Sequence, residues 1–178
     1  IGILAAIIIP TVSGARDAVT RAKTKAQFSQ WAAAMELFRQ EYGFYPDIAL
    51  NGLVDSERFA AELTGRTLTG AAVAGGAWGN RKGLSFYSLG ADELSEDGTG
   101  LIDGFGNTAI ALRIDSNRDG LINGSDLGSW VGVAGAEERS FSPTEVDGAV
   151  PASGVRAKVV FYSGGRGRAA TDLILSWR

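Results

Sequence analysis

The residues best spaced for chemistry lie in DSNRDGLINGSD, Asp115 to Asp126. Oxygen-bearing side chains fall at its first, third, fifth, ninth and twelfth positions: Asp115, Asn117, Asp119, Asn123 and Asp126. Alternate residues of a tight loop turn such oxygens toward one centre, Gly120 at the sixth position permits the sharp bend, and the main-chain carbonyl of Leu121 adds an oxygen. This is the spacing of a calcium loop. The expected ligand set is Asp115, Asn117, Asp119, Leu121, Asn123 and Asp126, the expected cofactor Ca2+, and Ile122 is the expected anchor of the loop on the core. A Gly/Asn-rich turn held by side-chain to main-chain hydrogen bonds would use the same residue types. Three carboxylates in one loop repel each other until a cation neutralises them, so the expected role is structural, ordering the chain around the loop. Extracellular calcium modules bind at roughly 10⁻⁴ to 10⁻³ M, which suits a site outside the cytoplasm.

The loop closes with Asp126 where an EF-hand carries Glu, and in this it resembles the dockerin variety. A strand and the stretch LGSWVG flank it instead of two long helices, so calmodulin-like opening is not expected. Dockerins use two such loops; this chain has one.

Composition removes most other chemistry. The 178 residues contain no His and no Cys, so Ser-His-Asp or Cys-His catalysis, thiolate or imidazole zinc sites and disulfides are all excluded. Only hard, oxygen-ligated cations remain as metals. The adjacent acids Glu137 and Glu138, and Asp92 and Glu93, read as solvent-facing loop residues, and no enzyme activity is expected. A net charge of -3 argues against nucleic acid as the main partner. The hydrophobic content of 45% is enough for a core, and the 25 glycines imply long irregular connections, as in AGGAWGNRKG.

The loop must be held by a body, and the body hangs from one long helix. From Ile1 to Gly43 the chain reads as a helical run. Val12, Ala15, Val19, Ala22 and Ala26 form a small-residue face suited to close approach of another helix. Phe28, Trp31, Met35, Phe38 and Tyr42 form a bulky face suited to a core. Such a helix is roughly 63 Å long, against a diameter of about 40 Å for a compact body of this length, so one end must protrude. The aromatics assign that end to Ile1 to Ile9, nine residues that are apolar or Gly, too few for the about 20 that span a bilayer. The expectation is that they are the end of a longer apolar helix beginning upstream. Pro10, helped by Gly14, should kink it. Arg16, Arg21, Lys23 and Lys25, opposed only by Asp17, read as a solvated face or as partners of neighbouring subunits.

After the turn at Tyr45-Pro46-Asp47, a short helix is expected at Ser56 to Leu63, capped by Asp55 or Ser56 and ended by Gly65. Strands are expected at LSFYSL (Leu84 to Leu89), at TAIALRI (Thr108 to Ile114) and at VRAKVVFYS (Val155 to Ser163). In the last two, Ile110, Leu112, Ile114, Val155, Ala157, Val159 and Phe161 alternate inward while Arg113, Arg156, Lys158 and Tyr162 face out. TDLILSW should fold back to finish the core. The fold class is α+β: a long N-terminal helix on a small antiparallel sheet with long Gly-rich loops. Residues 1–27 are the expected stalk and residues 28–178 the globular domain.

IGILAAIIIP followed by an Ala-rich, Lys/Arg-dotted helix resembles the N-terminal region of type IV pilins and type II secretion pseudopilins, and MELFRQEYGFYPD (Met35 to Asp47) resembles the end of that helix in the major-pseudopilin type. LIDGFGNTAIALRIDSNRDG is similar to their segment reading Asp-Pro-Trp-Gly-Asn before a strand, with Asp103, Gly106 and Asn107 kept and Gly104 and Phe105 substituting. FYSGGRGRAATDLILSW is similar to their C-terminal loop and tryptophan ending. The resemblance implies a pilin-like fold, about a dozen further residues before Ile1 including an early glutamate, and a calcium-binding C-terminal loop. Arg166 stands where that loop carries an acid, so its site is not transferred; Asp172 alone remains a weak candidate. The implied function is a filament subunit, in a pilus or a secretion pseudopilus, with further copies of itself as partner, the inner membrane as its anchor before assembly, and a location at the cell surface or in the envelope. A calcium-dependent, dockerin-like secreted binding module is the alternative.

Overall fold

The computed structural model describes residues 14–73, 79–137 and 139–178, with residues 2–13 as helix backbone only. The expectations for the side chains of Ile1 to Ile9, Pro10 and Val12, and for Ala74 to Trp78 and Glu138, lie outside the described residues.

The N-terminal helix α1 spans Gly2–Tyr42. It ends because Gly43 takes a left-handed conformation at φ 82° while its N–H caps the Arg39 carbonyl at 2.8 Å, a turn that a side chain would strain. Phe28, Trp31, Met35 and Phe38 are fully buried. They pack on a five-stranded antiparallel sheet of order β1-β2-β3-β6-β7. Its strands are β1 (Ala49–Leu50), β2 (Leu53–Val54), β3 (Ile110–Ile114), β6 (Val159–Ser163) and β7 (Ile174–Leu175); β4 (Val133–Ala134) and β5 (Ser140–Phe141) form a separate ribbon. The chain is therefore α+β, a long N-terminal helix on a small antiparallel sheet. The centre of the contact is aromatic, with Trp31 lying 4.7 Å from Phe59 and 5.5 Å from Phe161 between ring centroids.

The short helix after the turn is α2 (Ser56–Phe59), capped by the Asp55 side chain and continued by a π-helical turn, Ala60–Thr64, to Gly65. The tail returns as β7 beside β6. Three expectations are corrected. LSFYSL is not a strand, because the N–H groups of Phe86 and Tyr87 both donate to the Leu63 carbonyl, which binds the segment to the π-helical turn. The second strand is shorter than expected and every residue from Val159 to Ser163 is buried. Tyr162 and Arg113 face inward, at 0% and 4% exposure, since a second layer covers the far face of the sheet. That layer holds Trp130, Val133 and Phe141 together with Val146 from α3 (Pro143–Gly148). Tyr162 donates to the Val131 carbonyl at 3.1 Å, and the Arg113 guanidinium lies 5.2 Å from the centre of the Trp130 ring.

Candidate calcium loop

Strand β3 delivers Asp115 directly to the loop, and the way back is fixed by Ile122, which is fully buried and pairs antiparallel with Val155. Two positions in between are left-handed, Arg118 at φ 64° and Gly120 at φ 84°. The second is where glycine costs least. All six expected residues thus sit on one closed turn.

Within it the side chains fold onto the loop's own amides. Asp115 Oδ2 accepts from the N–H of Gly120 at 2.9 Å, Asn117 Oδ1 from Asp119 at 2.9 Å, Asp119 Oδ1 from Leu121 at 2.8 Å and Asn123 Oδ1 from Ser125 at 2.7 Å. Asp126 accepts from Ser116 at 2.8 Å through Oδ1 and from Asn123 at 2.9 Å through Oδ2. Burial pushes the Asp126 carboxyl up, but the N–H groups of Asn123, Ser116 and Asn117 outweigh it and hold the group below the usual carboxylate range. Among the described residues, no three acidic side chains gather closely enough to hold a metal by themselves. Asn117 also donates through Nδ2 to Asp119 at 3.1 Å.

One atom is left over. Asp115 is 5% exposed, and its Oδ1 is buried without a hydrogen-bond partner. An unpartnered carboxylate oxygen out of water is unfavourable by several kcal/mol unless a cation meets it. The residues present therefore fit a hard cation, and the remaining donors are the neutral oxygens and carboxylates that such an ion takes.

The C-terminal loop is held differently. Arg166 pairs with Asp17 of α1 and with Glu137 at 2.9 Å, and Arg168 pairs with Glu137 as well. Asp172 Oδ2 accepts from the N–H groups of Arg168 and Ala169 at 2.8 and 2.9 Å, and its Oδ1 lies 3.4 Å from Arg21. Cationic side chains thus tie this loop to the helix.

Two buried acids carry more structure than the sequence reading gave them. Glu93, expected at the surface, is 7% exposed, because the Trp31 indole N–H at 3.2 Å and the Tyr87 hydroxyl at 2.7 Å both donate to it. Asp92 does face solvent and pairs with Lys23 at 2.6 Å. Asp103 accepts from the N–H groups of Phe105 and Asn107, the Asn107 amide and the Ser163 hydroxyl at 2.6 to 3.0 Å. It pins the turn before β3 to the end of β6. The signal for it was the Asp-Gly-Phe-Gly-Asn spacing, which places an acid two and four residues before glycine-flanked amides.

Compared with protein-family models, curated proteins and solved structures, the chain gives no match. Among the described residues no helix is long and apolar enough to cross a membrane.

Proposed function

We propose that the chain is a structural subunit of a helical filament, of the type IV pilus or type II secretion pseudopilus kind, with a pilin-like fold in which residues 1–27 assemble and residues 28–178 form the displayed body. The observation that carries this reading is the small-residue face of α1. Ala15, Val19, Ala22 and Ala26 are all exposed, Val19 by 70%, whereas the aromatic face of the following turns is buried. Small side chains let helix axes approach closely, and the apolar run of Ile1 to Ile9 continues toward the N-terminus. Head-to-tail contacts that do not close on themselves make a fibre. Further copies of the chain are then its partner, the membrane its anchor before assembly, and the cell surface or envelope its place. No catalysis is assigned.

Calcium enters as a structural ion. Asp115, Asn117, Asp119, Asn123 and Asp126 with the Leu121 carbonyl would hold it, and it would supply positive charge to the unpartnered Asp115 oxygen. Electron microscopy of the purified chain tests the filament: regular fibres are expected, and a dispersed monomer with Ile1 to Ile9 intact would reject the reading in favour of a secreted calcium-dependent module.

A further inference from the structure

Beside the calcium loop the main sheet leaves an edge open. β2 meets β3 only at Leu53 and Ala111, and just past that pair the Leu112 N–H donates to the Gly52 carbonyl at 2.9 Å before the hairpin turns away. The opposite edge of β3 is paired with β6 along its whole length, from Ile110 with Ser163 to Ile114 with Val159. Main-chain groups alternate between the two sides of a strand. Leu112 donates toward the β2 side and Asp115 toward Lys158, so the N–H of Ile114 and the carbonyls of Leu112 and Ile114 face the open side. Among the described residues no strand pairs with them there.

This edge borders a groove of about 800 Å³. Its walls include Phe44, Tyr45, Leu127 and Val131, and Phe44 and Leu127 are 50% and 84% exposed. Sheet edges are usually blunted by proline, a bulge or inward charge; here Arg113 is an inward charge, but its guanidinium lies against the Trp130 ring, and Leu112 and Ile114 on either side of it are apolar. Of the groove's carboxylates, Asp47 is paired with Arg58 at 2.7 Å, whereas Asp115 accepts from the Gly120 N–H through Oδ2 and its buried Oδ1 is the unpartnered oxygen of the candidate calcium loop. Arg118, exposed at the same groove, has no ion pair among the described residues. Among the exposed side chains of the groove, the unmatched charge is therefore the positive one of Arg118.

We propose that this groove binds an extended peptide of a partner protein as an added strand on β3, with apolar residues at alternate positions and a carboxylate that meets Arg118. A row of main-chain donors and acceptors selects an extended peptide over a lipid or a small apolar molecule, since those bonds give affinity in strand addition and side pockets give selectivity. The free segment, Leu112 to Ile114, is about 10 Å long at roughly 3.3 Å per residue, which matches three to four residues of ligand. The proposal stands apart from the filament reading, because the groove belongs to the body whether or not the chain polymerises.

The test is fluorescence polarisation of the full chain with a labelled hexapeptide that alternates valine and threonine and ends in a free aspartate, beside a twin N-methylated at alternate amides. Saturable binding of the first and at least about tenfold weaker binding of the twin are expected. Leu127→Gln and Arg118→Gln should each weaken the first peptide while leaving the melting temperature unchanged. Replacing the terminal aspartate by asparagine amide should then cost nothing further in Arg118→Gln. Equal binding of the twin would show mere apolar adsorption and overturn the proposal. So would the absence of saturable binding, or uptake that disappears as chain concentration rises because a second copy fills the groove.

Discussion

Glu62 is 2% exposed, and its Oε2 has no hydrogen-bond partner among the described residues. Burial, reinforced by the charge of Asp47, pushes its carboxyl from 4.5 up to about 7. A raised carboxyl pKa means the folded state holds the proton more tightly than the unfolded chain does. The contribution to stability is therefore complete below the unfolded value and is lost as pH climbs toward about 7. Urea denaturation of Glu62→Gln should coincide with the wild type near pH 4.5 and exceed it by about 3 kcal/mol at pH 8; a difference that does not change between the two pH values would reject the assignment. Asp103 is the opposite case, a buried acid with four donors around it. Asp103→Ala strands the Asn107 and Ser163 groups that point at it and should lower stability by about 3 kcal/mol in the same assay, with Ser163→Ala alone costing about 1 kcal/mol.

At the scale of elements, the calcium loop gives the clearest expectation. An ion that binds only the folded state stabilises it by RT ln(1 + [L]/Kd). With affinity in the extracellular range, about 10 mM calcium should add roughly 1.4 to 2.7 kcal/mol over chelator-treated protein. Asp115→Asn should abolish that difference, and a transition that chelator leaves unmoved would remove the ion from the account. The spacing of this loop was legible because its residues are close together in the chain, as were the aromatic face of α1 and the existence of a strand at β3. What alternation could not show was the second layer. Arg113 and Tyr162 read as outward because a Gly-rich stretch in the sequence looks the same whether it lines solvent or covers a sheet. The aromatic run at Phe86 and Tyr87 looks like a strand, yet its amides belong to Leu63. Two local signals were readable and carry elements of their own. Asn51 and Gly52 are both left-handed, at φ 53° and 83°, the turn that a two-residue hairpin requires. Ser142 and Glu145 cap each other's N–H groups at the start of α3, which the Ser-Pro-Thr-Glu spacing announces. Asn51 and Gly52 also determine where β2 begins and hence how much of the β3 edge stays open.

For the whole molecule, α1 is packed on the body along one part of its length and exposed along another, and the proposed filament assigns assembly to the exposed part. Thr24 is the first described residue of the helix to be buried, and from Gln27 to Phe38 one face belongs to the core. Before that point the helix touches the body through the Arg166 bridge to Asp17, the Arg21 contacts with the C-terminal loop and the Lys23 pair with Asp92, solvent-screened pairs that hold it weakly. The face bearing Val19 and Ala22 contributes nothing to the body, so changing it should separate assembly from folding. Val19→Glu combined with Ala22→Glu should leave the denaturation midpoint of the body within about 0.5 kcal/mol of wild type, because neither side chain is packed. It should nevertheless abolish fibres in electron micrographs, since two carboxylates buried between apposed helices without partners would be strongly unfavourable. Phe28→Ala should do the reverse in kind, lowering stability by about 3 to 5 kcal/mol through a cavity in the core. Fibres that persist in the double variant would show that subunits meet through some other surface, and the small-residue face would then have no part in assembly.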